Sequence, residues 1–211
     1  MDHLRADAER NRQRIVDAAR EVFAEDGLGA SMRHVAARAG VGEPTLRRRF
    51  GSKSALVAEV FDDKIAAYAQ AAETAQRDPD AWRGFTTLVR EMAEMQLADR
   101  GFAELLTMTF PDSMRVEQHR RRAYEALGRL IARAQKAGSL RNDFSPEDLP
   151  MLLLAHAGVA AAGGAVAAAF SGRLLAYLLE AFAAPGARPL PAAPSAAATY
   201  RALLGLQRNA G

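Results

Sequence analysis

Residues 27–50 read GLGASMRHVAARAGVGEPTLRRRF, and this pattern predicts two short helices separated by a tight turn. Ser31 is a suitable N-cap for the first helix, because its hydroxyl can accept a hydrogen bond from a free N–H of the first turn. Gly40 can adopt the left-handed backbone conformation that commonly ends a helix. Pro44 lies near the start of the second helix, where its missing N–H has little effect. The segment therefore has the pattern of a helix-turn-helix.

The second predicted helix has one apolar face and one basic face. At 100° per residue, Leu46 and Phe50 lie within about 40° of each other, whereas Arg48 points almost directly away from them. Arg47 and Arg49 flank Arg48 on either side. A helix that reads DNA needs this arrangement, because one face must pack against the protein while the other enters the major groove. A solvated charged face is the alternative interpretation of the three arginines.

The same region resembles the DNA-binding domain of the TetR family of bacterial repressors. The matching positions are Ile15, Val16, Asp17, Ala18, Ala19, Phe23, Gly27, Ser31, Val35, Ala36, Ala39, Gly40, Val41, Thr45, Leu46, Phe50, Ser52, Lys53, Ala55 and Leu56. The family often has Tyr at the position of Arg47, and His or Tyr at the position of Arg49. The resemblance therefore does not imply which contacts these two arginines make.

The resemblance implies an all-α fold in three parts. Residues 1–52 are expected to form a helix-turn-helix DNA-binding domain, and residues 53–184 a larger helical domain for effector binding and dimerisation. Residues 185–211 are expected to form a Pro/Ala-rich linker and a short C-terminal helix. The implied function is that of a homodimeric transcriptional repressor, released from double-stranded operator DNA by a small, largely apolar effector. The expected DNA-binding residues are Ser31, Arg33, Pro44, Thr45, Arg47, Arg48, Arg49 and Lys53.

Composition narrows the function classes further. The absence of cysteine excludes disulfides and thiolate metal sites, and the four histidines do not have metal-ligand spacing. No catalytic motif occurs, so we expect neither an enzyme nor a cofactor. The first 54 residues contain eleven Lys/Arg and eight Asp/Glu, which accounts for the whole net charge of +3. This basic excess lies where phosphates would bind. The charged N-terminus lacks an apolar signal core, which favours a cytoplasmic location.

Helical periodicity continues through the rest of the chain. It predicts helices over residues 9–26, 52–76, 79–98, 102–109, 111–137 and 196–208, with the 52–76 helix as a continuous link between the two domains. Residues 149–170 contain no charged side chain and are long enough to span a membrane. They are rich in Ala and Gly and contain a Gly163-Gly164 break, so we favour two interface helices. The sequence therefore predicts a homodimer through residues 146–184 and no membrane association.

Methionine and aromatic residues in the larger domain indicate an apolar effector cavity, because methionine adapts to irregular apolar ligands. The candidate effector-binding residues are Phe85, Leu88, Met92, Met95, Phe102, Leu105, Met108, Tyr124 and His156. Ordinary core packing is the alternative for each of them, and a core or interface histidine is the alternative for His156. The run from His119 to Arg122 is interpreted as a solvated face. A DNA-binding architectural protein without an effector is the alternative function, and a cavity within residues 79–160 would favour the repressor.

Overall fold

The computed structural model describes residues 2–106, 113–186 and 188–209, and it describes side chains within residues 9–202 of those ranges. Its helices are α1 (Asp2–Asp26), α2 (Met32–Arg38), α3 (Glu43–Phe50), α4 (Lys53–Val60), α5 (Asp62–Arg77), α6 (Ala81–Ala98), α7 (Arg100–Leu106), α8 (Met114–Lys136), α9 (Asp148–Ala160), α10 (Gly164–Phe182) and α11 (Ala196–Asn209). The only β-pairing among the described residues is an isolated bridge between Leu140 and Ala183. The predicted all-α fold is confirmed.

The N-terminal core joins α1–α4 to α7. The apolar faces of α1, α2 and α3 meet at its centre, as their periodicity predicts. Its largest buried side chains are Ile15, Phe23, Leu46, Leu56, Phe61, Ile65, Phe102 and Leu105. Because α7 is separated from α4 by the whole length of α5 and α6, this core is closed by a segment distant in sequence. The boundary after residue 52 stays a prediction, but α4 packs with the helices before it.

The C-terminal core lies among α5, α6, α8, α9 and α10. The rings of Phe85, Phe144 and Phe182 meet edge to face at its centre, with centroid distances of 4.9–6.2 Å. Other buried members are Ala69, Ala72, Leu88, Met92, Leu127, Leu130, Ile131, Leu140, Leu149, Leu153 and Leu179. Alanines on α5 and α8 allow these two helices to approach closely, which makes them the most extensively paired helices of the fold.

The predicted continuous helix over residues 52–76 is wrong, because the structure divides it at Phe61. This residue has φ −105° and ψ 6°, outside helical geometry. Its buried ring lies between Phe23 and Phe102, 6.4 Å from each centroid. Asp62 and Asp63 then begin α5, where acidic side chains favour a helix N-terminus. The link between the two cores is therefore two helices joined at a buried aromatic residue.

Several local predictions are confirmed. Ser31 caps α2 by accepting a hydrogen bond from the His34 N–H, and Ser52 caps α4 by accepting one from the Ala55 N–H, both at 3.1 Å. The predicted start of α8 at Pro111 lies outside the described residues, and its described part begins at Met114 after the cap Ser113. By length and composition alone, α10 could cross a membrane, although it carries Arg173 and Glu180.

Candidate DNA interface and effector cavity

The outer face of α3 is the candidate DNA-reading surface. Leu46 is fully buried and Phe50 is 8% exposed, so these two side chains hold the helix against the N-terminal core. Arg48 lies on the opposite face and is exposed. Within the described part of the chain, Arg48 forms no ion pair. Its guanidinium is therefore available to a base edge or a phosphate without first breaking an internal bond.

Glu43 organises the basic residues beside Arg48. Its carboxylate accepts a hydrogen bond from Arg47 at 2.8 Å and pairs with Arg33 at 3.5 Å. The bond from Arg47 lowers the pKa of Glu43, so this carboxylate stays ionised at neutral pH. Exposed pairs of this kind contribute little to stability, and DNA phosphates can replace Glu43 as partners of the two arginines.

Most of the other predicted DNA-binding residues lie at helix starts. Pro44 and Thr45 are in the first turn of α3, and Ser31 caps α2. Lys53 occupies the first turn of α4, where burial lowers the pKa of its ammonium. Arg49 is exposed near the end of α3. The structure therefore brings together helix N-termini and cations, which together favour phosphate oxygens.

Helix α7 connects this surface to the larger domain. Gly101 packs so closely that a Cβ added there would lie 2.7 Å from the Phe23 carbonyl oxygen and 2.8 Å from the Phe61 ring. The Glu104 carboxylate accepts a hydrogen bond from the Leu28 N–H at 2.6 Å. Leu28 lies in the turn between α1 and α2, so a movement of α7 would act directly on the helix-turn-helix.

A cavity of about 280 Å³ lies between α5, α8 and α9. Its walls combine apolar side chains with a few ionisable ones, as ligand sites commonly do. The lining residues are Ile65, Tyr68, Leu106, Glu117, Arg120, Arg121, Tyr124, Leu127, Pro146, Leu149, Pro150, Leu153 and Tyr200. Leu106 is the last residue of α7, so the cavity wall includes the helix that docks on the DNA-binding side.

The predicted effector residues are not gathered around this cavity. Tyr124 lines it, whereas Met92 and His156 line a separate space of about 20 Å³. The remaining described members lie in the two cores: Phe85 and Leu88 in the C-terminal core, Phe102 and Leu105 in the N-terminal core, and Met95 partly buried against the latter. Met108 lies outside the described residues. These side chains pack between helices in the structure, and their role in effector binding stays a prediction.

His156 has internal partners on both ring nitrogens. Nδ1 lies 2.8 Å from Gln96 Oε1, and Nε2 lies 2.7 Å from Ser171 Oγ. The Gln96 amide also donates to the Leu153 carbonyl at 3.1 Å. Burial lowers the pKa of His156, which favours the neutral ring. His156 therefore belongs to a hydrogen-bonded network inside the domain, as a core histidine would.

Two family models match separate segments of the chain. A model described as "Bacterial regulatory proteins, tetR family" matches residues 15–60. A second, described as "Transcriptional regulator SbtR-like, C-terminal domain", matches residues 78–184, just over half of the chain. The chain belongs to the TetR family. A comparison with curated proteins gives no match.

Solved TetR-family structures share the architecture. A TetR transcriptional regulator from Streptomyces coelicolor is 26% identical, and the match covers 82% of this chain and 98% of that one with a TM-score of 0.51. A TetR-family regulator from Pectobacterium atrosepticum is 25% identical over 82% and 93% of the two chains, with a TM-score of 0.52. The ketosteroid transcriptional regulator of Mycobacterium tuberculosis is 18% identical, and the match covers 82% of this chain and 95% of that one with a TM-score of 0.57. At this identity the likeness shows a shared fold alone.

Sequence reasoning missed most of the cavity wall in this TetR-family protein, although α8 contained a signal for it. Glu117, Arg120, Tyr124 and Leu127 recur at intervals of three and four residues, which places them on one side of the helix. The charged members made this stripe resemble solvent-facing residues. Tyr200 gave no comparable signal, because only the return of the chain after α10 brings it to the cavity.

Proposed function

We propose that this protein is a homodimeric transcriptional repressor whose operator affinity is lowered by a small molecule bound in the 280 Å³ cavity. The observation that carries the proposal is the connection from the cavity wall at Leu106, along α7, to the helix-turn-helix. The family assignment supports transcriptional regulation and DNA binding. We further propose that the protein acts in the cytoplasm, without catalysis, metal or cofactor.

Operator recognition is proposed to use α3 of each subunit in a major groove. Two half-sites about 34–36 Å apart would match a two-fold dimer. Arg48 is assigned to base edges, because it projects furthest from the buried face of α3. Arg33, Arg47, Arg49 and Lys53 are assigned mainly to phosphates, with Ser31, Pro44 and Thr45 approaching the backbone or bases beside them.

The dimer interface is proposed to lie on α9 and α10, within residues 146–184. Large apolar side chains on these helices are exposed in the single chain: Met151, Leu154, Val166, Phe170 and Tyr177. An apolar surface of this extent commonly marks an interaction site. A second subunit would cover it and would fix the distance between the two α3 helices.

The proposed switch passes through α7. A ligand that displaces Leu106 would shift this helix, whose Phe102 ring packs on Phe61 and whose Glu104 bonds the turn at Leu28. Asp99, buried before α7, pairs with Lys64 of α5 and accepts a hydrogen bond from the Phe102 N–H. The same contacts therefore join α7 to both the DNA-binding helices and the cavity wall.

DNA selection from a random pool, followed by binding measurements, tests the proposed recognition. We expect a two-fold symmetric site, and we expect Arg48→Ala to weaken binding to it by about 1–3 kcal/mol while relaxing base preference. Lys53→Ala should weaken selected and random DNA alike and reduce the salt slope by about 1. Equal losses on selected and random DNA for Arg48→Ala would contradict the assignment of this residue.

The alternative is an architectural DNA-binding protein whose larger domain only dimerises. The cavity favours the repressor. A domain that only dimerises does not require an open space beside α7, the helix that contacts the DNA-binding domain. A screen in which compounds bind the protein but none alters operator affinity would favour the architectural protein instead.

A further inference from the structure

The chemistry of the cavity wall indicates the class of ligand, an inference that rests on the proposed effector site. We propose that the cavity binds a small amphipathic anion, with its charged group against Arg120, its chain against the apolar wall, and Tyr200 of the C-terminal segment covering it. This differs from the largely apolar effector expected from the sequence, because an ionic anchor sits in the wall.

The α8 side of the cavity wall carries two arginines. Among the lining residues that the structure describes, Arg120 and Arg121 stand beside one acid, Glu117. Burial lowers the pKa of the Arg120 guanidinium, so this cation is partly removed from water. One of its nitrogens, Nη2, donates to the Leu105 carbonyl at 2.6 Å. A planar guanidinium matches the geometry of a carboxylate or phosphate, which makes Arg120 the candidate anchor for an anionic head group.

The rest of the wall suits a short hydrocarbon chain. Ile65, Leu127, Leu149 and Leu153 are buried side chains that line the cavity, and they carry no polar groups. A volume of about 280 Å³ lies at the lower end of ligand sites, which are typically about 300–1,000 Å³. The site therefore fits a small anion with one apolar tail better than a large or multiply charged molecule.

The C-terminal segment contributes the remaining wall. Tyr200 on α11 lines the cavity, although residues after 184 lie beyond both matched family models. The start of this segment is held by an ion pair between the buried Arg141 and the exposed Asp143. Arg141 donates to the carbonyls of Ala181 and Arg188, and Asp143 accepts the Leu190 N–H at 2.9 Å. This attachment directs the chain back toward the cavity, so the segment belongs to the ligand site.

Calorimetric titration of the full chain with octanoate, octyl phosphate and 1-octanol tests the charge requirement. The three probes share an eight-carbon chain and differ in the head group. We expect the wild type to bind one or both anions roughly tenfold to a hundredfold more tightly than 1-octanol, the range expected for a hydrogen bond to a charged partner. The better anion distinguishes a carboxylate ligand from a phosphate ligand.

Substitutions at Arg120 locate the anchor. Arg120→Met should abolish the preference for anions, whereas Arg120→Lys, which keeps the charge, should retain part of it. Arg129→Met is the matched control, because Arg129 is exposed nine residues further along α8, on the opposite side of the helix. We expect Arg129→Met to behave like the wild type.

Substitutions at Tyr200 test the covering role of the C-terminal segment. Tyr200→Ala should weaken binding of all three probes by a similar factor, because it removes apolar cover, and Tyr200→Phe should bind like the wild type. Full retention of affinity in Tyr200→Ala would remove the segment from the site.

The proposal would be overturned if the wild type bound 1-octanol as tightly as the anions, or if it bound none of the probes. An anion preference that persists in Arg120→Met would overturn it as well. These failures are distinguishable from failure of the repressor function. If a neutral compound occupies the cavity and releases DNA, the repressor stands and only the anionic class is lost.

Discussion

The two cores of this protein differ in what they bury. Every buried polar or charged side chain among the described residues lies at or after Thr86, and none belongs to α1–α4. The N-terminal core is apolar and includes the aromatic stack of Phe23, Phe61 and Phe102. The larger domain buries Gln96, His156 and Ser171 as a bonded network. It also borders the 280 Å³ cavity.

The two cores are specified by different features of the sequence. The N-terminal core needs only apolar residues that recur at helical intervals and suitable cap residues, and both are local properties of the sequence. Buried polar groups must find particular partners, because an unsatisfied one is strongly destabilising. Gln96 and His156 are 60 residues apart, so no local pattern could pair them.

Separating the two subunits should have the largest effect on DNA binding. Phe170 is 56% exposed on α10, and Phe170→Asp would place a charge in the proposed interface. We expect a monomer in sedimentation analysis and at least about a hundredfold loss of operator affinity, because one half-site then lacks its partner. Met114→Asp is the control, since Met114 is 87% exposed on α8 outside the interface. A tight-binding Phe170→Asp dimer would show that the interface lies elsewhere.

Disturbing the contact between α7 and the N-terminal core should have the next largest effect, in this case on the free energy of unfolding. In Gly101→Ala the new methyl group would meet the Phe23 carbonyl and the Phe61 ring, and overpacking of this kind destabilises proteins by about 1–3 kcal/mol. Gly128→Ala is the matched control, because nothing lies within 4 Å of its added Cβ in the middle of α8. Alanine should instead stabilise that helix by up to about 1 kcal/mol. Urea unfolding measures both changes, and equal effects would show that α7 is not closely docked.

The polar network of the larger domain should give the smallest of these effects, as a dependence on pH. Burial lowers the pKa of His156 in the folded protein, whereas the unfolded chain binds a proton near its ordinary value of about 6.5. The unfolded state therefore gains a proton first, and stability falls as the pH drops below that value.

Urea unfolding at several pH values between 7.5 and 5.5, about one unit either side of that ordinary value, measures this dependence at fixed protein concentration. His156→Gln should show a smaller loss of stability on acidification than the wild type. Identical slopes for the wild type and His156→Gln would exclude His156 as the titrating group.

The sequence predicted what local chemistry determines. The caps at Ser31 and Ser52, the buried face of α3 and the turn between α9 and α10 all follow from spacing and residue type. The break at Phe61 did not, because it depends on rings contributed by Phe23 and Phe102 from other helices. Most of the 280 Å³ cavity wall could not be predicted either, since Arg120 looks solvent-facing within its run of arginines and Tyr200 reaches the cavity only through the path of the chain.

In the proposed switch, occupancy of the cavity controls operator affinity through α7. Leu127→Trp would fill the cavity from its wall, whereas a larger residue at Met92 would overpack a space of only about 20 Å³. The variant should bind the operator with near wild-type affinity but should not respond to a compound that occupies the wild-type cavity.

The most direct test measures two dissociation constants for the wild type: that of the operator with and without saturating compound, and that of the compound with and without operator. Linkage requires both to rise by the same factor, which we expect to be about 5–150-fold. An operator dissociation constant unchanged by a compound shown to occupy the cavity would show that the cavity does not control DNA binding.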